Sequence, residues 1–246
     1  MILKYIKELS RNSIYYGLGS AVRRFFVIFT APIMTRIFEP SDYGVISLVS
    51  TTIAFAGMII TLGISAGIFR YYFEVNEKER KELLFSGIIS QTVIIGSIVF
   101  IISFFAMPLS NIIFGTEKYG FILILALIQL FIVELFEHFM TLLRYQNKPK
   151  KFLIVSSIQL ALNLFFLLFY VAYLRLGIPG VFYGIITAYT IPLIILLFNL
   201  KKYYSLKLNL GYVKNCIVFS VPLMPGWFIN MYLARSNIFY LQSYKG

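Results

Sequence analysis

Five ionisable side chains interrupt otherwise apolar stretches of this 246-residue sequence: Arg23, Arg24, Glu134, Glu137 and His138. Glu134, Glu137 and His138 follow i, i+3, i+4 spacing, which puts them on one helix face together with Thr141. Gly17, Ser20, Arg24, Ala31 and Thr35 likewise share a stripe, a small-residue face that carries one cation. In lipid, each unpaired charge at a helix centre costs about 2.5–3.5 kcal/mol, on the order of 10–14 kcal/mol for the four charged residues together. They must therefore face one another, water or the interior of a bundle. Two chemistries fit, and they are compatible. The arginines and glutamates can neutralise one another as interhelical pairs. Alternatively they line a polar cavity, where the planar guanidinium fork suits phosphate oxygens and the glutamates position it or exchange protons. His138 reads as a hydrogen-bonded interior residue rather than a proton switch. Spacing alone would allow Glu134, Glu137 and His138 to ligate a metal, but the sequence holds no second histidine and no metal site is expected. There is no glycine-rich phosphate loop and no nucleophile–histidine–acid set, so neither a cofactor nor an enzyme activity is expected.

The elements that must position these residues follow from composition. Hydrophobic residues make up 59% and charged residues 13%, with a mean hydropathy of +0.83. A soluble domain has about 45–50% apolar and about 25% charged residues, so a soluble enzyme, a disordered chain and a nucleic-acid binder are all excluded. One cysteine, Cys216, excludes an internal disulfide framework. Apolar runs of about 20 residues or more, enough to span a bilayer, recur at 13–37, 44–69, 84–107, 119–143, 152–174, 179–200 and 215–234. The runs are continuous rather than alternating, which predicts helices and not a barrel. The first is too long for a secretory leader and carries Arg23 and Arg24, so no cleaved leader is expected. Pro32, Pro192, Pro222 and Pro225 fall within spans and are expected to kink them. Two weaker polar stripes, Ser156/Gln159/Asn163 and Ser86/Ser90/Ser97, suit interhelical hydrogen bonds of about 0.6 kcal/mol each more than the alternative, a cavity lining.

The basic residues sort to one side. With a cytoplasmic N-terminus, the inner segments hold Lys4, Lys7 and Arg11; Arg70, Lys78, Arg80 and Lys81; Arg144, Lys148, Lys150 and Lys151; and Lys201, Lys202, Lys207 and Lys214. The outer segments hold only Arg36, Lys118, Arg175, Arg235 and Lys245. Fifteen against five over short loops sets the orientation, and anionic membrane lipids account for the net charge of +12 without nucleic acid. Lys4, Lys7 and Arg11 suit a short interfacial helix. Tyr15, Tyr16, Tyr71, Tyr72, Tyr119, Tyr145, Tyr203 and Tyr204 lie near span ends, as an aromatic belt would.

Span seven echoes span one: Ile28-Phe29-Thr30-Ala31-Pro32-Ile33-Met34 aligns with Val218-Phe219-Ser220-Val221-Pro222-Leu223-Met224. Such an echo is expected where a six-helix unit ends and a second begins. The expected fold is thus all-α, a polytopic membrane helix bundle. Residues 1–202 form a six-helix N-terminal transporter lobe. Residues 203–246 supply a cytoplasmic loop and a seventh transmembrane helix, the first of a second lobe that is cut short.

Four segments resemble a known family. Phe38-Glu39-Pro40-Ser41-Asp42-Tyr43-Gly44 is similar to the "L-x-P-x-D-Y-G" turn of oligosaccharide flippases, the polysaccharide-exporting branch of the multidrug/oligosaccharidyl-lipid/polysaccharide superfamily. Arg70-Tyr71-Tyr72 resembles its "R-Y-Y/F" element, Arg144-Tyr145-Gln146-Asn147-Lys148 its "R-x-Q-x-K" loop, and Pro222-Leu223-Met224-Pro225 its "P-L-x-P" segment. The four occur in the family's order along the whole chain.

This resemblance implies a flippase in the cell (inner) membrane that moves undecaprenyl-pyrophosphate-linked oligosaccharide outward for O-antigen, capsule or a related polysaccharide. It implies two lobes around a central cationic cavity, in which Arg23 and Arg24 are candidates for facing the pyrophosphate. Ala234-Arg235 departs from the Asp-Arg pair that the family often carries late in span seven. One lobe cannot complete a cavity built between two, so a separate C-terminal half, a second copy of the chain or an inactive remnant all stay open. So do a multidrug exporter of the same fold, which Glu134 and Glu137 would suit, and a non-transporting membrane scaffold.

Overall fold

The computed structural model describes residues 30–200, 205, 207–230 and 233. The expectations for Arg23 and Arg24, for the interfacial segment at Lys4, Lys7 and Arg11, for most of span 13–37 and for the far end of span 215–234 lie outside these residues. Every regular element among the described residues is helical. Helix α1 covers 30–37, and α2 runs Pro40–Ile60. Next come α3 (Ile64–Tyr72), α4 (Glu77–Phe104) and α5 (Ala106–Phe114). A 3-10 turn over Glu117–Tyr119 leads into α6 (Gly120–Tyr145). Helix α7 (Pro149–Leu167) continues as a π-helical turn over Leu168–Tyr173. Helix α8 covers Ile178–Leu200, and α9 (Leu210–Ser220) passes into a 3-10 turn over Val221–Leu223.

Five stretches are long and apolar enough to cross a membrane: Pro40–Ile60, Glu77–Phe104, Glu117–Tyr145, Pro149–Tyr173 and Ile178–Asn199. The chain is a multi-pass membrane protein, and four of these spans match the expected ones at 84–107, 119–143, 152–174 and 179–200. The expectation of one unbroken span over 44–69 is corrected. The α-helix ends at Ile60, and Leu62 and Gly63 take φ of 49° and 60° before α3 begins. Two successive left-handed residues cannot continue a right-handed helix. The apolar run hides this break because Leu62 carries no turn signature. At Gly63 a Cβ would also stand 2.4 Å from the Trp227 ring, so this turn needs glycine for both conformation and space.

The chain divides into two compact units, Met1–Ile53 with Gly96–Lys202 and Ala54–Ile95 with Tyr203–Gly246. In the first unit α8 packs against both α6 and α7. Gly180, Gly184 and Ala188, spaced by four and all buried, let α8 lie close to its neighbour. A Cβ on Gly184 would sit 3.2 Å from the Leu167 backbone. Facing this seam, the end of α7 widens: Leu174 N–H donates to Phe169 O at 2.9 Å, an i→i−5 bond. Phe165, Phe169 and Tyr173 stack along this turn with ring centroids 6.2 and 5.7 Å apart.

In the second unit α3 packs on α9 through the same device. Gly63 and Gly67 on one side meet Ser220 and Cys216 on the other, four residues apart in each case. Pro222 tightens the end of α9 into the 3-10 turn, and helix resumes at 224–230. Pro32, its counterpart in the sequence echo, stays within the helix over 30–37. Pro192 lies inside α8, where it removes one backbone hydrogen bond.

Candidate functional site

Three of the five expected site residues, Glu134, Glu137 and His138, lie in the second half of α6. The helix brings them onto one face as their spacing predicts, with Thr141 beside them. Phe136, Met140 and Leu143 occupy the opposite face and are buried, and the Phe136 ring meets Tyr189 of α8 edge-on at 5.1 Å. Packing of the aromatic face on α8 thus turns the polar stripe away from α8. Phe131, at the edge of the polar stripe, reaches α4: a Cβ on Gly96 would lie 3.4 Å from its ring.

Glu134, Glu137 and Thr141 are half-buried, while His138 is 5% exposed. No hydrogen bond or ion pair reaches the Glu134 carboxylate from the described residues. Two carboxylates one turn apart, next to a buried imidazole, can attract a cation, orient a guanidinium or take up a proton. Among the described residues no three His, Cys, Asp or Glu side chains cluster closely enough to hold a metal ion.

Of the two weaker stripes, the one on α4 makes a bond to another helical element through Ser86, whereas Ser156 on α7 bonds within its own helix. Ser156 and Gln159 are buried on α7, but the Ser156 hydroxyl donates to Leu153 O of its own helix at 3.0 Å. The Gln159 Nε2 is buried and finds no acceptor among the described residues. On α4, Ser86 accepts a 2.8 Å hydrogen bond from Asn209 N–H, at the cap of α9, whereas Ser97 is exposed.

The segments that carry the family resemblance are structural joints. Phe38-Glu39-Pro40-Ser41-Asp42-Tyr43 starts α2, with Pro40 first in the helix and Asp42 in its positive first turn. Phe38 before the cap meets Tyr43 edge-on at 6.5 Å, which staples the entry of the chain. At the end of α3, Arg70 pairs with Glu74, Tyr71 meets Phe219 of α9, and Tyr72 lies buried beneath Arg80. Arg80 also donates to Tyr72 O at 2.9 Å, so Tyr72 belongs to the protein interior rather than to an interfacial belt. In the turn after α6, the Arg144 guanidinium stacks 4.7 Å above the Phe152 ring, and Lys148 donates to Gln146 Oε1 at 2.6 Å. Asn147 between them takes the left-handed φ of 50° that asparagine tolerates. Sequence reasoning missed the glycine seams, whose four-residue spacing was the available signal.

The fold defines a multi-pass helical membrane protein. The chain is similar to the Vibrio cholerae MATE transporter VcmN in its bent form, with 16% identity over 96% of this chain and 56% of that one, at a TM-score of 0.73. It is also similar to a MOP superfamily transporter from Pyrococcus furiosus, at 15% identity, 94% and 55% coverage and a TM-score of 0.70; reverse polarity of that protein's binding pocket suggests a different function for it. An outward-facing MATE family multidrug resistance transporter matches with 15% identity and a TM-score of 0.68, over 94% of this chain and 55% of that one. At such identities the likeness shows the fold, and the chain spans 55–57% of the solved chains it matches. No curated protein matches it by sequence. A family model described as "Polysaccharide biosynthesis protein" matches residues 33–241, and the chain belongs to that family.

Proposed function

We propose that this chain supplies the N-terminal lobe of a flippase for undecaprenyl-pyrophosphate-linked oligosaccharide, working in the cell membrane with its N-terminus in the cytoplasm. The observation that carries this reading is the polar stripe of α6, two half-buried carboxylates and a buried histidine turned away from the α8 packing face, in a chain of the polysaccharide biosynthesis family. In this reading residues 1–202 are the lobe and 203–246 begin the next. Arg23 and Arg24 receive the pyrophosphate, while Glu134 and Glu137 hold or release them. A second lobe closes the cavity. No step is catalytic.

The test is removal of the gene and complementation with point variants. Loss should leave lipid-linked oligosaccharide accumulating on the inner leaflet and strip the surface polysaccharide. Arg24→Ala, expressed at the normal level, should reproduce both effects. Normal export by that variant would sink the role of Arg24. The half-buried pair Glu134 and Glu137 favours a second reading, a cation-coupled exporter of drug-like molecules. Removal of the gene would then raise drug sensitivity and leave surface polysaccharide intact.

A further inference from the structure

A cavity of ≈ 170 Å³ opens at the end of the first unit where α6 finishes, α7 begins and α8 finishes. Its wall is apolar, with Leu143, Val155, Ile195 and Leu196 among its members, and its polar residues are Lys151 and Asn199. Ile154 and Ile195 on its rim are 58% and 49% exposed, so the cavity opens sideways toward lipid tails. Lys151 is the third residue of α7 and Asn199 the last but one of α8. The polar end therefore lies at the membrane surface, and the apolar wall runs inward from it.

The charge at that polar end is not compensated by this part of the chain. All ten acidic residues lie between Glu8 and Glu137; from His138 to Gly246 there are eleven Lys and Arg and no Asp or Glu. Lys151 forms no ion pair or hydrogen bond with the described residues. The nearest carboxylates in sequence, Glu134 and Glu137, lie on the α6 face turned away from α8, more than a turn deeper than Leu143. Lys150 and Lys151 moreover occupy the first turn of α7, where the helix dipole is already positive and the first backbone bond comes only with Phe152 N–H to Lys148 O.

We propose that this cavity is a binding site for an anionic phospholipid, one acyl chain lying along Leu143, Val155 and Leu196 and the phosphate on the Lys151 ammonium. Asn199 lends its Oδ1 to the headgroup, since its Nδ2 already donates to Ile195 O at 2.8 Å. The lipid supplies the counter-charge that residues 138–246 lack. The site is independent of what the protein transports.

The test is native mass spectrometry of the delipidated full chain in detergent, titrated with phosphatidylglycerol and with phosphatidylcholine of identical acyl chains. Thermal unfolding of the same samples provides a second readout. Phosphatidylglycerol should bind at least fivefold more tightly and raise the unfolding temperature. Lys151→Gln should weaken that binding about fivefold, the loss of one cation near an anionic headgroup, while Lys151→Arg retains it. Val155→Phe, which fills the cavity, should reduce binding of both lipids, and Lys207→Gln should change nothing. Equal binding of the two lipids, full binding by Lys151→Gln, or equal protection by glycerol 3-phosphate without acyl chains would each overturn the proposal.

Discussion

Gly67 of α3 lies so close to Cys216 of α9 that a Cβ on the glycine would stand 2.4 Å from the Cys216 Cα. The nearest neighbours are backbone atoms and a Cβ, which cannot swing aside as a side-chain tip can. Gly67→Ala should therefore force α3 and α9 apart at a cost of about 1–3 kcal/mol. Gly44→Ala in α2, where a Cβ meets nothing within 4 Å, should cost nothing and gain helix propensity. Thermal unfolding of the two purified variants checks this, and equal stabilities would refute the seam.

Phe38 and Tyr43 should be energetically coupled. Their rings meet edge-on at 86°, and together they fix how the chain enters α2. A double-mutant cycle with Phe38→Ala and Tyr43→Ala should give a coupling of about 0.5–1.5 kcal/mol. Strictly additive losses would mean the two rings act separately.

Gln159 is 1% exposed, and its Nε2 has no acceptor among the described residues. Gln159→Met keeps the length of the side chain and removes the amide. The variant should gain about 1 kcal/mol of stability with export unchanged. A loss of export despite the gain would assign Gln159 to the transport route.

Glu134 and Arg24 belong to one proposed polar cavity, so their variants should not add. Glu134→Gln and Arg24→Ala should each impair polysaccharide export, and the double variant should be no worse than Arg24→Ala. Export assays at matched protein levels decide this. Multiplying defects would place the two residues in separate steps.

Orientation is open to direct labelling. In a Cys216→Ser background, a cysteine introduced at Ser10 should resist a membrane-impermeant thiol reagent in intact cells and react after permeabilisation. Labelling of intact cells would reverse the proposed topology.

Spans were legible because hydropathy over 20 residues is a strong signal: α6 and α8 fall within two residues of the runs at 119–143 and 179–200. The stripe of Glu134, Glu137 and His138 was legible for the same reason, since an unbroken helix converts spacing directly into a face. What escaped were features set by contact rather than by composition. Leu62 and Gly63 break the helix after Ile60 inside a largely apolar run, where the Trp227 ring leaves no room for a Cβ on Gly63. Gln146 looked like a family marker with no stated task, and Arg144 counted only among the basic residues that set the orientation. Only Phe152 and Lys148, brought back by the turn, show them to be the joint between α6 and α7.

The π-helical turn over Leu168–Tyr173 has a consequence for comparing this chain with distant relatives. A wider turn holds an extra residue for the same rise, as a one-residue insertion into an α-helix would. A relative whose equivalent helix is α throughout aligns correctly only with a one-residue gap there. An ungapped alignment would carry a one-residue register error from this turn into the segment that follows it. At 15–16% identity nothing in the sequence would flag the error. The aromatic ladder of Phe165, Phe169 and Tyr173 is the landmark by which the register can be set.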